Sequence, residues 1–294
     1  MNMMDYIKDT YNSDYAEEYE KILREVSGGN KTINESTMQE FLEKHTAFIP
    51  TPFLLNHQLH FNTFISKFPI GPWVTDFAYL TKSSVEWYVV LVEIENPHKK
   101  IFKGSIEHAA FSAEYAQAKQ QLMDWKVYID DNKREVLGSL RRIRRPLEHN
   151  KVSFKYVLLM GRREEIQNSE ARRRAIAEVN SNEIKIITYD TLLSDYRRVR
   201  RMPDESLVLN LYNIDRFKCK YIPENLQLSG LFGHMSCEDI QFTEDQIKLL
   251  KRDDYEMDSW LKGEYLVINE KHTQKGYAER LPVNSSIRKV FEKK

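Results

Sequence analysis

Three carboxylates lie on two neighbouring apolar segments of the sequence, where they could bind a metal ion. Asp76 belongs to the first segment, and Glu93 and Glu95 stand two residues apart in the second. Residues two apart on a β-strand point to the same face. Converging carboxylates repel each other and are costly to desolvate, and a divalent cation removes that cost. Oxygen ligands suit Mg²⁺, which polarises a phosphoryl oxygen and lowers the pKa of an attacking water, and Mn²⁺ can replace it.

The alternative is that Glu93 and Glu95 lie on the solvent face of a half-exposed strand. The same face would also carry three large apolar residues, Trp87, Val89 and Leu91. Such a face is not typical of a solvated strand, so a functional site is the better interpretation. An aspartate followed by two glutamates is nevertheless a weak motif when it stands alone.

The elements that must position these residues follow a mixed α/β pattern. Runs of β-branched and aromatic residues predict strands at 57–66, 73–80, 87–95, 154–160 and 183–189. Apolar residues at helical spacing, with stop signals after them, predict helices at 13–27, 37–48, 106–130, 164–180 and 191–202. A hairpin loop at 81–86 would bring Asp76 close to the two glutamates.

The helix expected at 106–130 has two polar residues that could reach the site. Its apolar stripe is centred on Phe111, Ala118 and Ile129. Gln121 and Lys119 lie ~80° to either side of that centre, so the sheet should meet only one of them. Gln121 could donate to a phosphate or to the attacking water, or it could simply border the core.

Basic residues are unevenly distributed, although the formal net charge is zero. A neutral chain argues mildly against a nucleic-acid partner, but arginine is concentrated between residues 134 and 201. Arg162 and Arg163 follow a strand that ends at Gly161, at the sheet edge where ligands are usually held. A DNA contact and an ordinary capping or surface-charge role are both open for this pair.

Composition sets the broad class. Hydrophobic residues make up 41% and charged residues 30% of the 294-residue chain, a balance typical of globular proteins. No apolar run is long enough to cross a membrane, and the polar N-terminus does not have the apolar core of a signal peptide. Cys219 and Cys237 are expected to be free thiols in a cytoplasmic protein.

Several sequence blocks together resemble the Shedu antiphage defence proteins, a family of PD-(D/E)XK nucleases. They span residues 40–193 and read EFLEKH, DFAYL, VLVEIENP, QLMDW, YIDDN, LMGRR and ITYDTLL. The resemblance implies a PD-(D/E)XK nuclease-like mixed sheet flanked by helices at 36–202. An N-terminal helical segment (1–35) and a C-terminal accessory region of mixed structure (203–294) would lie outside it.

The resemblance also implies a function. We expect an endonuclease that hydrolyses DNA with Mg²⁺, defends against phage and forms a homo-oligomer such as a tetramer. Asp76, Glu93 and Glu95 would be the metal ligands, and Gln121, which the resemblance favours over Lys119, would complete the catalytic set. Arg162, Arg163 and Lys119 would contact nucleic acid.

One departure from the family pattern matters for the chemistry. The usual signature ends in a lysine two residues after the acidic ligand, and this position holds Glu95. Either Glu95 is a general base or a ligand of a second metal, or a lysine elsewhere supplies the charge. The alternatives for the whole protein are a degenerate nuclease that only binds nucleic acid or protein, and a toxin that cleaves RNA.

Overall fold

The computed structural model describes residues 13–198, 205–223 and 228–264, together with Leu266. The helices in these parts of the chain are α1 (Ser13–Ser27), α2 (Glu35–Lys44), α3 (Ala113–Ser139), α4 (Glu164–Gln167), α5 (Glu170–Val179), α6 (Tyr189–Arg198), α7 (Ser229–Phe232), α8 (Glu244–Arg252) and α9 (Met257–Leu261). Short 3₁₀ turns at Thr46–Phe48 and His60–Asn62 separate α2 from the sheet.

The strands form one eight-stranded sheet in the order β5-β4-β3-β2-β1-β6-β7-β8. They are β1 (Thr63–Ile70), β2 (Trp73–Lys82), β3 (Glu86–Ile94), β4 (Lys151–Leu159), β5 (Ile184–Ile187), β6 (Leu207–Tyr212), β7 (Arg216–Tyr221) and β8 (Ile240–Gln241). β1, β2 and β3 are antiparallel neighbours, whereas β4 and β5 continue parallel to β3. The prediction of a mixed α/β sheet is therefore confirmed.

Two helical layers cover the sheet. On one face α1, α2 and α6 bury residues such as Tyr19, Phe41 and Leu192 against Phe77 and Val92 of the sheet. The opposite face is covered by α3, whose buried residues repeat the apolar stripe that the sequence predicts. Alternation along β2 and β3 thus directs every second side chain towards α3.

Two predicted elements begin elsewhere in the structure. The first strand was expected at 57–66 and runs from Thr63 to Ile70, because Phe61 and Asn62 adopt positive φ in a 3₁₀ turn. The helix expected at 106–130 begins only at Ala113, where the Ser112 hydroxyl accepts from the Tyr115 N–H, and it continues to Ser139.

A distant arginine explains why residues 104–108 are not helical. Arg172 on α5 is buried, and its guanidinium donates to the carbonyls of Gly104, Ser105, His108 and Glu165. These carbonyls are therefore held in a loop by a side chain that lies more than sixty residues away. Local spacing could not have revealed this competition with the helix.

The C-terminal region joins the same sheet. β6 pairs in parallel with β1, so that Ser66 lies beside Asn210, and Lys220 on β7 donates to Glu43 on α2 at 2.6 Å. The predicted boundary at 203–204 and most of the apolar run at 264–268 fall outside the described residues. The division into three parts stays a prediction, since a continuous sheet is compatible with several folding units.

Candidate active site

A row of three charged residues crosses the centre of the sheet. Ser66 pairs with Phe77 and Phe68 with Thr75, so Lys67 lies opposite Asp76. Phe77 pairs with Val92 on the other side, so the next step of the same register places Asp76 across from Glu93. The hairpin between β2 and β3 thus brings the predicted carboxylates together, as the sequence led us to expect.

Asp76 is held from two sides. It is buried, with 4% of its surface exposed, and its Oδ2 accepts the backbone N–H of Ile94 at 2.7 Å. Its Oδ1 accepts from the Lys67 ammonium at 2.5 Å. Both oxygens of this carboxylate therefore have a donor, one fixed by the backbone and the other on a flexible side chain.

Glu93 is only half satisfied. Its Oε1 accepts from the Gln121 amide at 2.6 Å, whereas its Oε2 is buried and has no hydrogen-bond partner among the residues that the structure describes. Burial first, and then the carboxylates of Asp76 and Glu95, raise the pKa of Glu93 to about 9. A buried carboxylate oxygen that faces other carboxylates is an unfavourable arrangement unless a cation is bound.

Glu95 lies just beyond β3, where its backbone is fixed by two contacts. Its N–H donates to Leu159 at 2.9 Å, and its carbonyl accepts from the Tyr189 hydroxyl. Its side chain is buried and forms an ion pair with Lys99 in the loop that follows Pro97. Lys99 thus neutralises the carboxylate that stands where the family pattern has a lysine.

A fourth carboxylate, Glu35, was not among the predicted residues. It opens α2, which Asn34 caps through a reciprocal pair of hydrogen bonds with Thr37. Partial burial, followed by the charges of Asp76 and Glu95, raises the pKa of Glu35. The capping pattern Asn34–Thr37 was the available signal, because it places the start of the helix two residues before the predicted one.

The chemistry of these side chains fits a hard divalent cation, but their arrangement is not yet that of a metal site. Within the described residues, no three His, Cys, Asp or Glu side chains are grouped so that they could hold a metal as they stand. Lys67 and Lys99 occupy Asp76 and Glu95 instead. The two lysines are partly exposed and can move away at little cost. The buried Glu93 oxygen, by contrast, is kept from solvent and still needs a partner, which a bound cation would provide.

The three predicted nucleic-acid contacts lie in different settings. Lys119 is half-buried on α3, and no hydrogen bond or ion pair links it to the carboxylates in the described part of the chain. Arg162 donates to both oxygens of Asp190, each at 2.9 Å, and also to Leu23 and Ser27. Arg163 contacts Asp190 as well, through its backbone N–H at 2.8 Å.

Much of the predicted arginine-dense stretch is used inside the protein. Arg142 binds Asp215 and Asp239, and buried Arg144 donates to the carbonyls of Leu137 and Glu148. The Arg172 guanidinium donates to backbone carbonyls. These arginines stabilise the fold, Arg144 by local contacts and Arg142 by long-range ones, so their number is not a measure of free positive charge.

A cleft of about 370 Å³ opens between the end of α1, the loop after β3 and the start of α4. Its lining includes Lys99, Lys100 and Arg162, and Lys99 connects it directly to Glu95. Gly161 shapes this corner with φ of +72°, since a side chain there would collide with Ile101 and Glu165. Three basic side chains thus line the cleft together with Glu164 and Glu165, and its link to the carboxylates is the ion pair of Lys99 with Glu95.

Comparison with known proteins gives one clear relationship. A family model described as Shedu protein SduA, C-terminal, matches residues 32–193, more than half of the chain, and the match includes Glu35, Asp76, Glu93 and Gln121. None of the curated proteins matches this chain. In the described parts of the chain, no helix is both long and apolar enough to cross a membrane. The chain belongs to the family of the Shedu protein SduA C-terminal region.

Proposed function

We propose that this protein is a metal-dependent endonuclease that hydrolyses phosphodiester bonds in DNA as an effector of antiphage defence. The observation that carries the proposal is Glu93, a buried carboxylate with one unpartnered oxygen beside Asp76 and Glu95. Membership of the Shedu family supports the role in defence. A strongly perturbed acid in a cluster of acids is typical of a functional site.

The arrangement of elements supports a PD-(D/E)XK core. Helix α2, the antiparallel strands β1 to β3, helix α3 and the parallel strand β4 follow one another in the order of that fold. The acids lie on β2 and at the end of β3, where the fold places its metal ligands. This agreement in order is a support for the fold and no more, because unrelated proteins can share it.

Asp76, Glu93 and Glu95 are the residues that would hold Mg²⁺. When bound, the ion polarises a phosphoryl oxygen and lowers the pKa of a water. The Ile94 N–H fixes the orientation of Asp76, and the Gln121 amide fixes that of Glu93. Donors of this kind keep a carboxylate ready for its ligand and so reduce the cost of binding.

DNA would approach along the basic cleft. Lys100 is exposed there and free to meet a phosphate, and Arg162 lines the same cleft while it holds Asp190. We keep Arg162, Arg163 and Lys119 as proposed nucleic-acid contacts. Arg162 would act mainly by shaping the cleft, and Arg163 would have to exchange its contacts with Asp190 and Ser194 for a phosphate.

A second candidate function is favoured by the two lysine–carboxylate pairs. Lys67 and Lys99 neutralise Asp76 and Glu95, as expected for a degenerate nuclease that binds nucleic acid or protein without cleaving it. The same chemistry could also act on RNA. Substrate and metal dependence must therefore be tested together.

The test is a cleavage assay on the purified full chain. Linear and circular duplex DNA, single-stranded DNA and RNA are incubated with Mg²⁺ or Mn²⁺, with EDTA as the control. We expect metal-dependent cleavage of DNA. Cleavage of RNA alone would change the substrate class, and no cleavage of any substrate would favour the binding module.

We also propose that the protein works in the cytoplasm as a homo-oligomer such as a tetramer. Both cysteines are free, as expected in a reducing compartment, and the oligomer follows from the resemblance to Shedu proteins. Light scattering of the purified chain measures the assembly. A monomer at all concentrations would contradict the proposal.

A further inference from the structure

Lys67 occupies an unusual position next to the proposed metal ligands. It lies in the middle of β1 with φ of +51°, in the left-handed region that residues other than glycine seldom adopt. Strained backbone of this kind tends to occur at functional sites, where the surrounding structure holds it in place. The strand register puts Lys67 directly across from Asp76.

Lys67 and Asp76 form an ion pair in which only the lysine is accessible to solvent. The lysine side chain is 45% exposed, whereas that of Asp76 is 5% exposed, and the two meet at 2.5 Å. The other oxygen of Asp76 is taken by the Ile94 N–H. The Lys67 ammonium therefore lies at the solvent side of the carboxylates, where a phosphate of an incoming strand would arrive.

The site requires a positive charge that Glu95 cannot supply. Lys99 pairs with Glu95 and lies in the loop beyond β3, on the far side of the row from Lys67. Lys119 makes no contact with the acids in the described structure. Lys67 is the lysine whose partner lies directly opposite Glu93 and whose backbone is fixed within a strand.

We propose that Lys67 is the cation that binds the scissile phosphate, which rests on the proposed function. In the DNA-free protein it pairs with Asp76; in the complex it would leave Asp76 for a non-bridging phosphate oxygen and free that carboxylate for the metal. In hydrolysis, the attacking water gives one proton to solvent as its oxygen bonds to phosphorus, the bond to the leaving oxygen breaks, and that oxygen takes one proton from solvent. Lys67 keeps its proton and stabilises the charge that builds up on the phosphate.

Three full-length variants test this role. Lys67→Met removes the charge and keeps the length of the side chain, and Lys67→Arg restores a charge. Lys126→Met is the matched control, because Lys126 is 39% exposed and pairs at 2.5 Å with Glu183, which is not one of the acids of the site. Single-turnover cleavage of DNA is measured together with Mn²⁺ binding to the DNA-free protein by electron paramagnetic resonance.

We expect Lys67→Met to lower the cleavage rate by about 10²–10³-fold, as for loss of one group that stabilises transition-state charge. Its Mn²⁺ binding should be as tight as in the wild type or tighter, because Asp76 loses a competing ammonium. Lys67→Arg should recover part of the rate, and Lys126→Met should cleave like the wild type.

A structural role for Lys67 predicts a different pattern. Cleavage, Mn²⁺ binding and melting temperature would then fall together in Lys67→Met, and this outcome would overturn the proposal. Wild-type cleavage by Lys67→Met would also overturn it while leaving the nuclease function intact. If the wild type cleaves no substrate, both the nuclease function and the role of Lys67 are wrong.

Discussion

Two groups of buried charges near the same edge of the sheet are treated in opposite ways. Asp190, just after β5, is buried enough that its pKa would rise, but hydrogen bonds from Arg162 and the Arg163 N–H hold the pKa below its usual value. Glu93, at the end of β3, has a pKa raised to about 9 by burial and by neighbouring acids. Both carboxylates lose water, and only the first is fully compensated by the protein itself.

The difference separates a structural ion pair from a binding site. Arg162 and Asp190 join α1, β4 and α6, since Arg162 also donates to the Leu23 carbonyl and the Ser27 hydroxyl. In the described parts of the chain, the Glu93 side chain has one hydrogen-bond partner, Gln121. An uncompensated buried carboxylate lowers the stability of a protein and is kept where function needs it. Substitution of Asp190 and substitution of Glu93 should therefore change stability differently.

The largest effect should come from the acids of the proposed site. Asp76→Ala and Glu93→Ala should reduce DNA cleavage to background, at least about 10³-fold, because each removes a proposed ligand of the metal. Circular dichroism should show that the fold is intact, and Asp190→Ala provides the comparison at the compensated group. Full activity in either site variant would show that the site is wrongly assigned.

Glu95 should give the next largest effect. If its charge is needed as a base or a metal ligand, Glu95→Gln should lower the cleavage rate by about 10²–10⁴-fold. If the residue is only a relic, Glu95→Gln should be harmless, and Glu95→Lys could raise the rate by restoring the usual pattern. One cleavage assay on both variants separates the two roles, since they predict different changes in the cleavage rate.

Stability tests the comparison directly. Asp190→Asn breaks charge-assisted hydrogen bonds and should cost about 2 kcal/mol, or a few degrees in melting temperature. Glu93→Gln removes a carboxylate that is poorly compensated and should leave the melting temperature in EDTA unchanged or higher. Calorimetry at neutral pH measures both, and an equal loss in the two variants would remove the distinction between the groups.

The cost of Asp190→Asn should depend on pH in a defined direction. The pKa of Asp190 is lowered in the folded protein, so its contribution is complete above its unfolded pKa near 4. It is lost as the pH falls through the lower folded value. Denaturant titrations at neutral and acidic pH should therefore show the two proteins converging in acid, and a constant difference would contradict the assignment.

The smallest effect concerns the cleft. Lys100→Ala should weaken DNA binding modestly and reduce the dependence of log affinity on log salt by about one unit, because one phosphate contact is lost. Arg142→Ala is the internal counterpart, since Arg142 is engaged by Asp215 and Asp239. DNA affinity is measured from low to moderate salt for both variants. A larger change in the salt slope for Arg142→Ala than for Lys100→Ala would contradict this division of roles.

The sequence was sufficient to place the three acids together, whereas Gln121 was favoured only by the family resemblance. Alternation along a strand and a short hairpin put Asp76 near Glu93 and Glu95, and these are local rules. Lys67 was not found, because the first strand was expected six residues too early and the lysine fell beyond its end. The positive φ of Phe61 and Asn62 delays that strand; asparagine adopts this conformation more readily than most residues, whereas phenylalanine carries no signal of it.

Long-range contacts account for the remaining differences. Arginine clusters looked like phosphate-binding surface in the sequence, whereas their partners lie tens of residues away, as with Arg142 and Asp239. Arg172 likewise prevents a helix at 104–108 through carbonyls that only the folded chain brings to it. Charge count and local pattern cannot predict such pairing, because it depends on the tertiary fold.

The pairing of β1 with β6 has a consequence for how this protein can be shortened. The described sheet ends in the four-residue β5 and the two-residue β8, and such short borders offer little backbone to other chains. A chain cut before residue 205 would remove β6 and uncover the backbone of β1 over Thr63–Ser66, so that no strand would pair with that edge of the eight-residue β1. Exposed strand edges promote aggregation, so a truncated gene that keeps every proposed catalytic residue would still give a less soluble protein.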